Sequence, residues 1–366
     1  KEWLSKYDRN VRVDNNHTTI SYDDFINKEM IHFSKYDCDR SIPNVMDGLK
    51  ISLRKILYSA FKKNITNEIK VAQFSGYVSE NSGYHHGEAS LNAAIVGMAQ
   101  NFVGSNNINL FEPNGQFGTR LQGGKDSASE RYIFTQLNKI TRLIFPKEDD
   151  AILKYLDDDG TPVEPIYYLP IIPMILINGT KGIGTGFSTE ILPHAPIDII
   201  NYLLSKLKNE SSLGKDTSLT PFWNNFKGTI TYDDEAKKCT TSGVYKIKGK
   251  DKIHITELPI GMWTDDFKQL LENLTETIDS SGKKTKAFIK DYTDLSQSTN
   301  IDIEVTFHSG VLDDLIQKDL LLKTLKLTTS FHTSNMHLFN AEDKLVKYSS
   351  VSDIIHDFYV KRLEGY

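Results

Sequence analysis

The chain has 366 residues, of which 39% are hydrophobic and 25% charged, an ordinary globular composition with room for two or three domains. Its formal net charge of −5 argues mildly against a nucleic acid partner. No apolar run reaches the ~18 residues that span a membrane, and the first seven residues lack the apolar core of a signal peptide. Two cysteines are too few for a disulfide framework or a cysteine-based zinc site, so the cysteine content is consistent with a reducing compartment.

The first predicted helix begins after Ser21. Ser21 is followed three residues later by Asp24, which resembles a capping box at a helix start. The apolar residues of this helix lie on one side: Tyr22, Phe25, Ile26, Met30 and Phe33. Pro43 and Gly48 then bound a turn.

Positive charge is concentrated just beyond this helix. Between Lys35 and Lys70 there are eight basic and four acidic residues, a local excess of +4 within an acidic chain. A second helix begins near Leu49, and its apolar face comprises Leu49, Leu53, Ile56, Leu57, Ala60 and Phe61. Four basic residues fall outside that face, where solvent or phosphate can reach them: Arg54, Lys55, Lys62 and Lys63. An ordinary solvated helix face explains the same pattern.

A third helix is predicted from near Glu88. Its apolar stripe has helical spacing: Leu91, Ala94, Ile95, Met98 and Phe102. His85 and His86 precede this helix. The two histidines could bind a metal together or belong to a capped turn, instead of having a catalytic role. Joint metal binding is disfavoured, because adjacent side chains point in different directions on regular backbone. Short helices followed by a Gly- and Asn-rich hairpin region at 104–124 suit a winged-helix domain, which commonly places a helix in the DNA major groove.

The segment 123–135, GGKDSASERYIFT, carries the most informative chemistry. We predict a fourth helix over 127–144, capped by Asp126, with Tyr132 next to its buried stripe. A phenol beside the Arg131 guanidinium can attack a phosphodiester, because the cation stabilises the charge that develops on phosphate. A free tyrosine has a pKa of ~10 and needs such a neighbour to react. Taken alone, an Arg-Tyr pair in a helix is usually structural.

The acidic cluster at 157–160, DDDG, could bind a divalent cation. Prolines follow closely, however, and no Glu has EF-hand spacing, which favours a solvated loop.

A second loop, GIGTG at 182–186, contains Ile183. An apolar side chain between glycines can enter a base stack and kink DNA. A phosphate-cradling loop and a tight structural turn are the alternatives to that reading.

From about residue 226 the apolar period changes to two. Strands are predicted at 226–232, 244–247, 253–256 and 301–307, and a loop at 280–284. These elements predict an α+β domain over 169–335. The tail from Val351 onward is helical again, as the start of a long helix.

Four blocks in this order resemble the DNA breakage–reunion region of type IIA DNA topoisomerases. They are RSIPNVMDGLK at 40–50, SGYHHGEAS at 82–90, the segment containing Arg131 and Tyr132, and MILINGTKGIGTG at 174–186. AQNFVGSNN at 99–107 and KIHITELP at 252–259 favour the eukaryotic-type enzymes, including their viral relatives. The resemblance extends from about Ser21 to the last residue.

The resemblance implies a role for each candidate residue. Tyr132 would attack a DNA phosphate and form a 5′-phosphotyrosyl link, with Arg131 holding the transition-state oxyanion. Arg40 and Lys50 would support that charge, and His86 would act near the scissile phosphate as a donor or proton relay. Ile183 would enter the base stack. The remaining residues are DNA-binding candidates: Arg54, Lys55, Lys62, Lys63 and Lys125.

The resemblance also implies an architecture. A linker and entry helix would occupy 1–32, a winged-helix (helix-turn-helix) domain with the nucleophile 33–168, an α/β tower domain 169–335, and the start of a coiled-coil arm 336–366. Double-stranded DNA and a second copy of the chain are the expected partners, with no membrane. The expected compartment is the nucleus, or a viral replication site in the cytoplasm.

The cofactors are expected to lie elsewhere. In the resembled family Mg²⁺ is bound by a Toprim domain with Glu-Gly-Asp and Asp-x-Asp motifs, and ATP by an ATPase domain. No Glu-Gly-Asp occurs here, and the 157–160 cluster follows the tyrosine instead of preceding it. Because the sequence also lacks an initial Met, we expect it to be a piece of a longer protein.

Two other functions compete with this one. A non-catalytic winged-helix DNA-binding or scaffold protein explains the basic segment and the helices equally well, but not Arg131, Tyr132, His86 and Ile183 together. A Rossmann-type enzyme is disfavoured because the βαβ rhythm is missing.

Overall fold

The computed structural model describes residues 3–14, 16, 18–208, 219–275 and 287–366. These residues form helices and antiparallel sheets, so the prediction of an α+β fold is confirmed. The loop predicted at 280–284 lies outside the described residues. No helix in the described ranges is both long and apolar enough to cross a membrane.

The helices differ widely in length. In chain order they are α1 (Tyr22–Asp24), α2 (Ile31–Ser41), α3 (Ile51–Lys63), α4 (Val71–Ser82), α5 (Glu88–Ala99), α6 (Thr141–Ile144), α7 (Met174–Asn178), α8 (Pro196–Leu207), α9 (Thr264–Thr275), α10 (Val311–Gln317), α11 (Leu321–Thr324) and α12 (Val351–Gly365). A π-helical stretch, Phe25–Met30, joins α1 to α2. Short 3₁₀ turns occupy Leu4–Lys6 and Lys147–Ala151.

In the part of the chain that the structure describes, the strands form six small sheets. In chain order they are β1 (Ile69–Lys70), β2 (Phe134–Thr135), β3 (Tyr155–Asp158), β4 (Thr161–Pro165), β5 (Thr180–Gly184), β6 (Phe187–Ile191), β7 (Thr229–Asp233), β8 (Lys238–Ser242), β9 (Val244–Ile247), β10 (Lys252–Glu257), β11 (Ile289–Asp294), β12 (Ile303–Phe307), β13 (Thr328–His332), β14 (Met336–Phe339) and β15 (Leu345–Tyr348). The larger sheets have the orders β11-β12-β10-β9 and β13-β8-β7, and the other four are pairs. The four predicted strands correspond to β7, β9, β10 and β12.

The entry helix begins where the capping box predicts. The Ser21 hydroxyl accepts a hydrogen bond from the Asp24 backbone N–H at 3.0 Å. The apolar side of this helix faces solvent, however: Tyr22 is 89% exposed and Phe33 is 63% exposed. The side that packs against the protein carries Ile31, Ser34 and Cys38 instead.

The predicted helix over 127–144 is wrong. Only Thr141–Ile144 is helical, and Phe134–Thr135 forms a strand that pairs with Ile69–Lys70. Backbone groups that a helix would use internally have distant partners: the Ala128 N–H donates to Gln116, and the Glu130 carbonyl accepts from Ala72. Asp126 does not cap a helix, because its carboxylate accepts from the Thr119 N–H at 2.8 Å. Long-range backbone pairing overrides the local helical pattern here.

Two large hydrophobic cores and two smaller clusters lie within the described residues. The larger core runs from Val45 through α7 and α8, and it also includes Met336, Leu338 and the buried face of α12. The second core lies between the four-stranded sheet and its helices; its most buried members include Ile253, Phe267, Ile303, Val305 and Leu325. A buried ion pair between Arg120 and Glu257 joins the loop before Tyr132 to the end of β10.

A buried ion pair also holds the beginning of α3. Arg54 Nε donates to Asp47 Oδ2 at 2.7 Å, and both side chains are almost fully buried. The same carboxylate accepts from the backbone N–H groups of Leu49 at 3.0 Å and Tyr168 at 2.9 Å. The turn that precedes α3 is therefore tied both to the helix and to a segment more than a hundred residues away.

We expect Asp47→Ala to lower the free energy of unfolding by about 3–5 kcal/mol, because it leaves the buried Arg54 guanidinium without a counter-charge. Urea unfolding of the chain measures this difference. Lys318→Ala, which removes an exposed pair with Asp314, is the control and should change stability by less than about 0.5 kcal/mol. Equal urea midpoints for Asp47→Ala and Lys318→Ala would contradict the conclusion that the buried Asp47–Arg54 pair stabilises the fold.

Candidate active site

Tyr132 lies in a turn directly before β2, with its phenol in solvent. Its side chain is 78% exposed, whereas the next residue, Ile133, is 1% exposed and packs in the larger core. The turn is anchored on both sides: the Tyr132 N–H donates to Ser129 at 2.9 Å, and the Val71 N–H donates to Ile133 at 3.1 Å. The fold therefore presents this phenol on a fixed piece of backbone.

Arg131 lies beside a surface cleft of about 580 Å³. The cleft runs between α5 and the loop that precedes the Tyr132 turn, and Lys125 lines it as well. Both cations are exposed. Within the described residues neither has an ion-pair partner, so both are available to an anion from solution.

His86 lies in a second cavity, of about 390 Å³, on the other side of the start of α5. Arg40, Lys55 and His85 line the same cavity. Burial lowers the pKa of His86, and its electrostatic interactions with Arg40, His85 and Lys55 lower it further. The imidazole is therefore predominantly neutral at neutral pH.

Glu88, the first residue of α5, lines the Arg131 cleft, and it also lines a third recess, of about 490 Å³, together with His86. Arg131 and Lys125 thus line one cavity beside α5, whereas His86 and Arg40 line another. Tyr132 adjoins the first of these cavities through its neighbour Arg131.

Lys50 lies at the start of α3 and faces the β5–β6 hairpin. Its ammonium donates to the Lys181 carbonyl at 2.8 Å. Burial lowers its pKa. The lysine therefore links the basic segment to the strand that carries Ile183.

Ile183 projects from the hairpin into solvent, with 76% of its side chain exposed. It pairs with Ser188 across antiparallel strands that are joined by a turn at Thr185 and Gly186. The phosphate-cradling alternative is wrong, because the segment continues into a strand and not into a helix. Gly182 permits the hairpin to approach α2, since a Cβ there would lie 2.1 Å from the Ser41 carbonyl oxygen.

Two predicted DNA-binding cations are corrected by the structure. Arg54 is only 6% exposed and is paired with Asp47, so it cannot reach a phosphate. The Lys55 ammonium donates to Glu164 at 2.7 Å and to the Ser82 carbonyl, and its side chain is mostly buried. Both lie outside the apolar stripe of α3, but a neighbouring part of the chain covers that side of the helix. Lys62 and Lys63, near its exposed end, remain in solvent.

The acidic cluster forms the turn between β3 and β4. The Gly160 N–H donates to the Asp157 carboxylate at 2.8 Å, and Asp159 and Gly160 adopt φ of 51° and 84°. In the described part of the chain, no group of three or more His, Cys, Asp or Glu side chains could hold a metal ion. Neither this turn nor the His85–His86 pair is thus assembled as a metal centre.

The sequence analysis missed Tyr36, whose hydroxyl lies 2.9 Å from His86 Nε2. Tyr36 precedes Arg40 by four residues on α2, so the two side chains lie on the same face of the helix. Because Arg40 was already a candidate site residue, the four-residue spacing could have identified Tyr36 as a second one. The location of His86 against α2 was not available from any local pattern.

Two family descriptions match the chain. Residues 40–366 match the family described as DNA gyrase/topoisomerase IV, A-type subunit. Residues 1–38, most of which the sequence analysis assigned to a linker and entry helix, match the C-terminal associated domain of TOPRIM.

Individual relatives agree with these matches. The whole chain is 45% identical to "DNA topoisomerase 2, mitochondrial" of Dictyostelium discoideum and 46% identical to "DNA topoisomerase 2" of Arabidopsis thaliana. It spans 27% and 24% of the lengths of those proteins. It also resembles the solved DNA-binding, cleavage and re-ligation domain of Plasmodium falciparum topoisomerase II, with a TM-score of 0.90 and 44% identity over all of this chain and 48% of that one.

We expect Gly182→Ala to destabilise the protein by about 1–3 kcal/mol, because the new Cβ would clash with the backbone of Ser41. Thermal unfolding of the variant measures this. Gly76→Ala is the matched control, since Gly76 lies within α4 and a Cβ there meets nothing within 4 Å. If the two alanine variants have equal melting temperatures, the hairpin does not depend on this close approach.

Proposed function

The chain belongs to the DNA gyrase/topoisomerase IV family of A-type subunits, and we propose that it is the DNA breakage–reunion core of a eukaryotic-type, type IIA topoisomerase. The observation that carries the proposal is an exposed Tyr132 on a rigid turn, with the unpaired Arg131 as its neighbour. Because the chain spans about a quarter of the length of its curated relatives, the activity of the whole enzyme is part of the proposal.

The proposed reaction is a reversible transesterification. The Tyr132 phenol gives up its proton as its oxygen forms a bond to a DNA phosphorus. The bond from that phosphorus to the 3′ oxygen breaks, and the 3′ oxygen takes up one proton and leaves as a hydroxyl, so that no net proton is gained or lost. The strand then has a 5′-phosphotyrosyl end, and the reverse attack by the 3′ hydroxyl restores the DNA. The ester retains the energy of the broken bond, so resealing needs no nucleotide.

The candidate side chains have distinct proposed roles. Arg131 and Arg40 present guanidinium groups, whose planar forks suit phosphate oxygens. Lys50 supplies a third cation near the hairpin. His86, neutral by virtue of burial and its cationic neighbours, can donate one proton and accept another. Ile183 would insert between base pairs from the exposed edge of β5 and bend the duplex.

Among the described residues, no group of three or more His, Cys, Asp or Glu side chains could hold Mg²⁺. We propose that Mg²⁺ and ATP act in other domains of the full-length enzyme, Mg²⁺ in a Toprim domain. The match of residues 1–38 to a segment that accompanies TOPRIM supports this arrangement. Toprim acidic residues would then approach the scissile phosphate from a separate part of the assembly.

The domain division remains a proposal. The packing of α3, α4 and α5 with the Tyr132 turn supports a winged-helix domain, and the second core supports a tower domain. The long α12 would begin a coiled-coil arm. The core packing of residues 169–203 with the preceding domain favours a later boundary than 168.

A homodimer is proposed because cleavage of both DNA strands needs two nucleophiles, and each chain offers one Tyr132. A second duplex then passes through the double-strand break before religation. Relatives include cellular enzymes and one from Acanthamoeba polyphaga mimivirus, so the proposal includes both a nuclear location and a viral replication site.

The alternative function, a non-catalytic DNA-binding protein, does not explain the exposed Arg131–Tyr132 pair.

We expect Tyr132→Phe in the full-length enzyme to abolish covalent DNA–protein adducts on a suicide substrate, because the attacking oxygen is gone. DNA affinity should stay within about twofold, since the ring remains. Adducts are detected by denaturing electrophoresis with labelled DNA. Tyr22→Phe, which removes the hydroxyl of another highly exposed tyrosine, is the control and should leave adduct formation unchanged. Adducts that persist in Tyr132→Phe would refute the assignment.

We expect Lys62→Gln to weaken binding about equally for different DNA sequences and to reduce the dependence of log K on log salt by about one, because the lysine would contact phosphate. Fluorescence anisotropy at several salt concentrations measures both quantities. Lys361→Gln on α12 is the control cation. An unchanged salt slope for Lys62→Gln would remove this lysine from the DNA-binding surface.

A further inference from the structure

His86 is held between two tyrosine rings that come from different parts of the chain. The Tyr36 hydroxyl from α2 lies 2.9 Å from Nε2, and the two ring centroids are 6.1 Å apart. Tyr84, on the loop of His86 itself, packs edge-on against the imidazole at 5.2 Å. The orientation of the imidazole is thus determined by one hydrogen bond and one aromatic contact.

The charged groups that face His86 are two cations and two carboxylates, together with a second histidine. They are Arg40 from α2, Lys55 from α3, Glu80 from α4, His85 from the same loop and Glu88 from α5, besides the two tyrosines. Glu164 already neutralises Lys55. Arg40 has no ion-pair partner among the described residues, so it disfavours a positive charge on the ring.

The direction of the Tyr36–His86 hydrogen bond follows from elementary acid–base chemistry. A neutral imidazole has one N–H donor and one nitrogen acceptor. A phenol is a stronger acid than a neutral imidazole N–H, and an imidazole nitrogen is a stronger base than a phenolic oxygen. The favoured arrangement therefore has the Tyr36 hydroxyl donating to Nε2, which requires the ring proton to be on Nδ1.

We propose that Tyr36 is a positioning residue for His86, donating to Nε2 so that Nδ1–H is the ring group that meets a DNA phosphate oxygen. The inference rests on the proposed function and deepens it, because it selects which nitrogen of His86 acts. Tyr36 lies one turn before Arg40 on α2, so the same helix orients a cation and, through the phenol, the imidazole.

The test uses the full-length enzyme and Tyr36→Phe, which keeps the ring and removes only the hydroxyl. Single-turnover cleavage of a suicide substrate is measured between about pH 5.5 and pH 8.5. We expect DNA affinity to stay within about twofold and cleavage to slow about five- to tenfold, the effect of one lost hydrogen bond. Tyr22→Phe, upstream in the same helical region, should behave as wild type.

The pH profile separates positioning from simple structural support. The inflection that His86→Ala removes reports the protonation of His86. A hydroxyl that donates to Nε2 stabilises the neutral ring and so lowers the pKa of His86. Loss of the Tyr36 hydroxyl should therefore raise the pKa of His86 and move that inflection to higher pH. An inflection that stays in place or moves to lower pH would overturn the proposal.

A double-mutant cycle gives a second criterion. Tyr36→Phe should slow cleavage in the wild-type background and have no further effect in His86→Ala, because its action passes through the imidazole. Equal losses in both backgrounds would overturn the inference. Adducts in Tyr132→Phe would overturn the proposed function itself. Loss of adducts in Tyr132→Phe together with a wild-type Tyr36→Phe would overturn only the role of Tyr36.

Discussion

The carboxylate of Asp47 is the contact on which the arrangement of the basic segment depends. It accepts two hydrogen bonds from Arg54 and one each from the backbone of Leu49 and Tyr168, all inside the protein. A buried charge is tolerated only when it is paired and fully hydrogen-bonded, so these partners have little freedom to move. The result is a fixed turn at the beginning of α3, immediately before Lys50.

The helix α2 joins two parts of the proposed site. This helix carries Tyr36 and Arg40 toward His86, and its other side receives the hairpin of Ile183 through the close approach of Gly182 to Ser41. Thr185 in the hairpin turn also donates to Asp37 at 2.9 Å. One helix therefore relates the groups proposed to meet the scissile phosphate to the residue proposed to bend the DNA. An enzyme that cuts and bends the same duplex needs this relation to be constant.

Exposure and burial divide the cations of the chain by role. Arg131, Lys125, Arg40 and Lys62 have their charged ends in solvent, where a polyanion can replace water around them. Arg54 and Arg120 are buried against Asp47 and Glu257, and they stabilise the fold. Net charge conceals this division, which is why a chain of charge −5 can present a basic surface.

The sequence by itself determined the α+β class, the helices at Ser21, α3, α5 and α12, four of the strands, and the family, because periodicity, caps and motif order are local properties. Tertiary structure alone decided three other points. Tyr132 lies on a turn because residues 128–133 pair with the backbone of Gln116, Val71 and Ala72. Arg54 and Lys55 are covered by chain that is distant in sequence, and Tyr36 meets His86 across fifty residues. A local pattern shows which face of a helix is apolar, but not which segment will pack on its polar face, since that depends on long-range contacts.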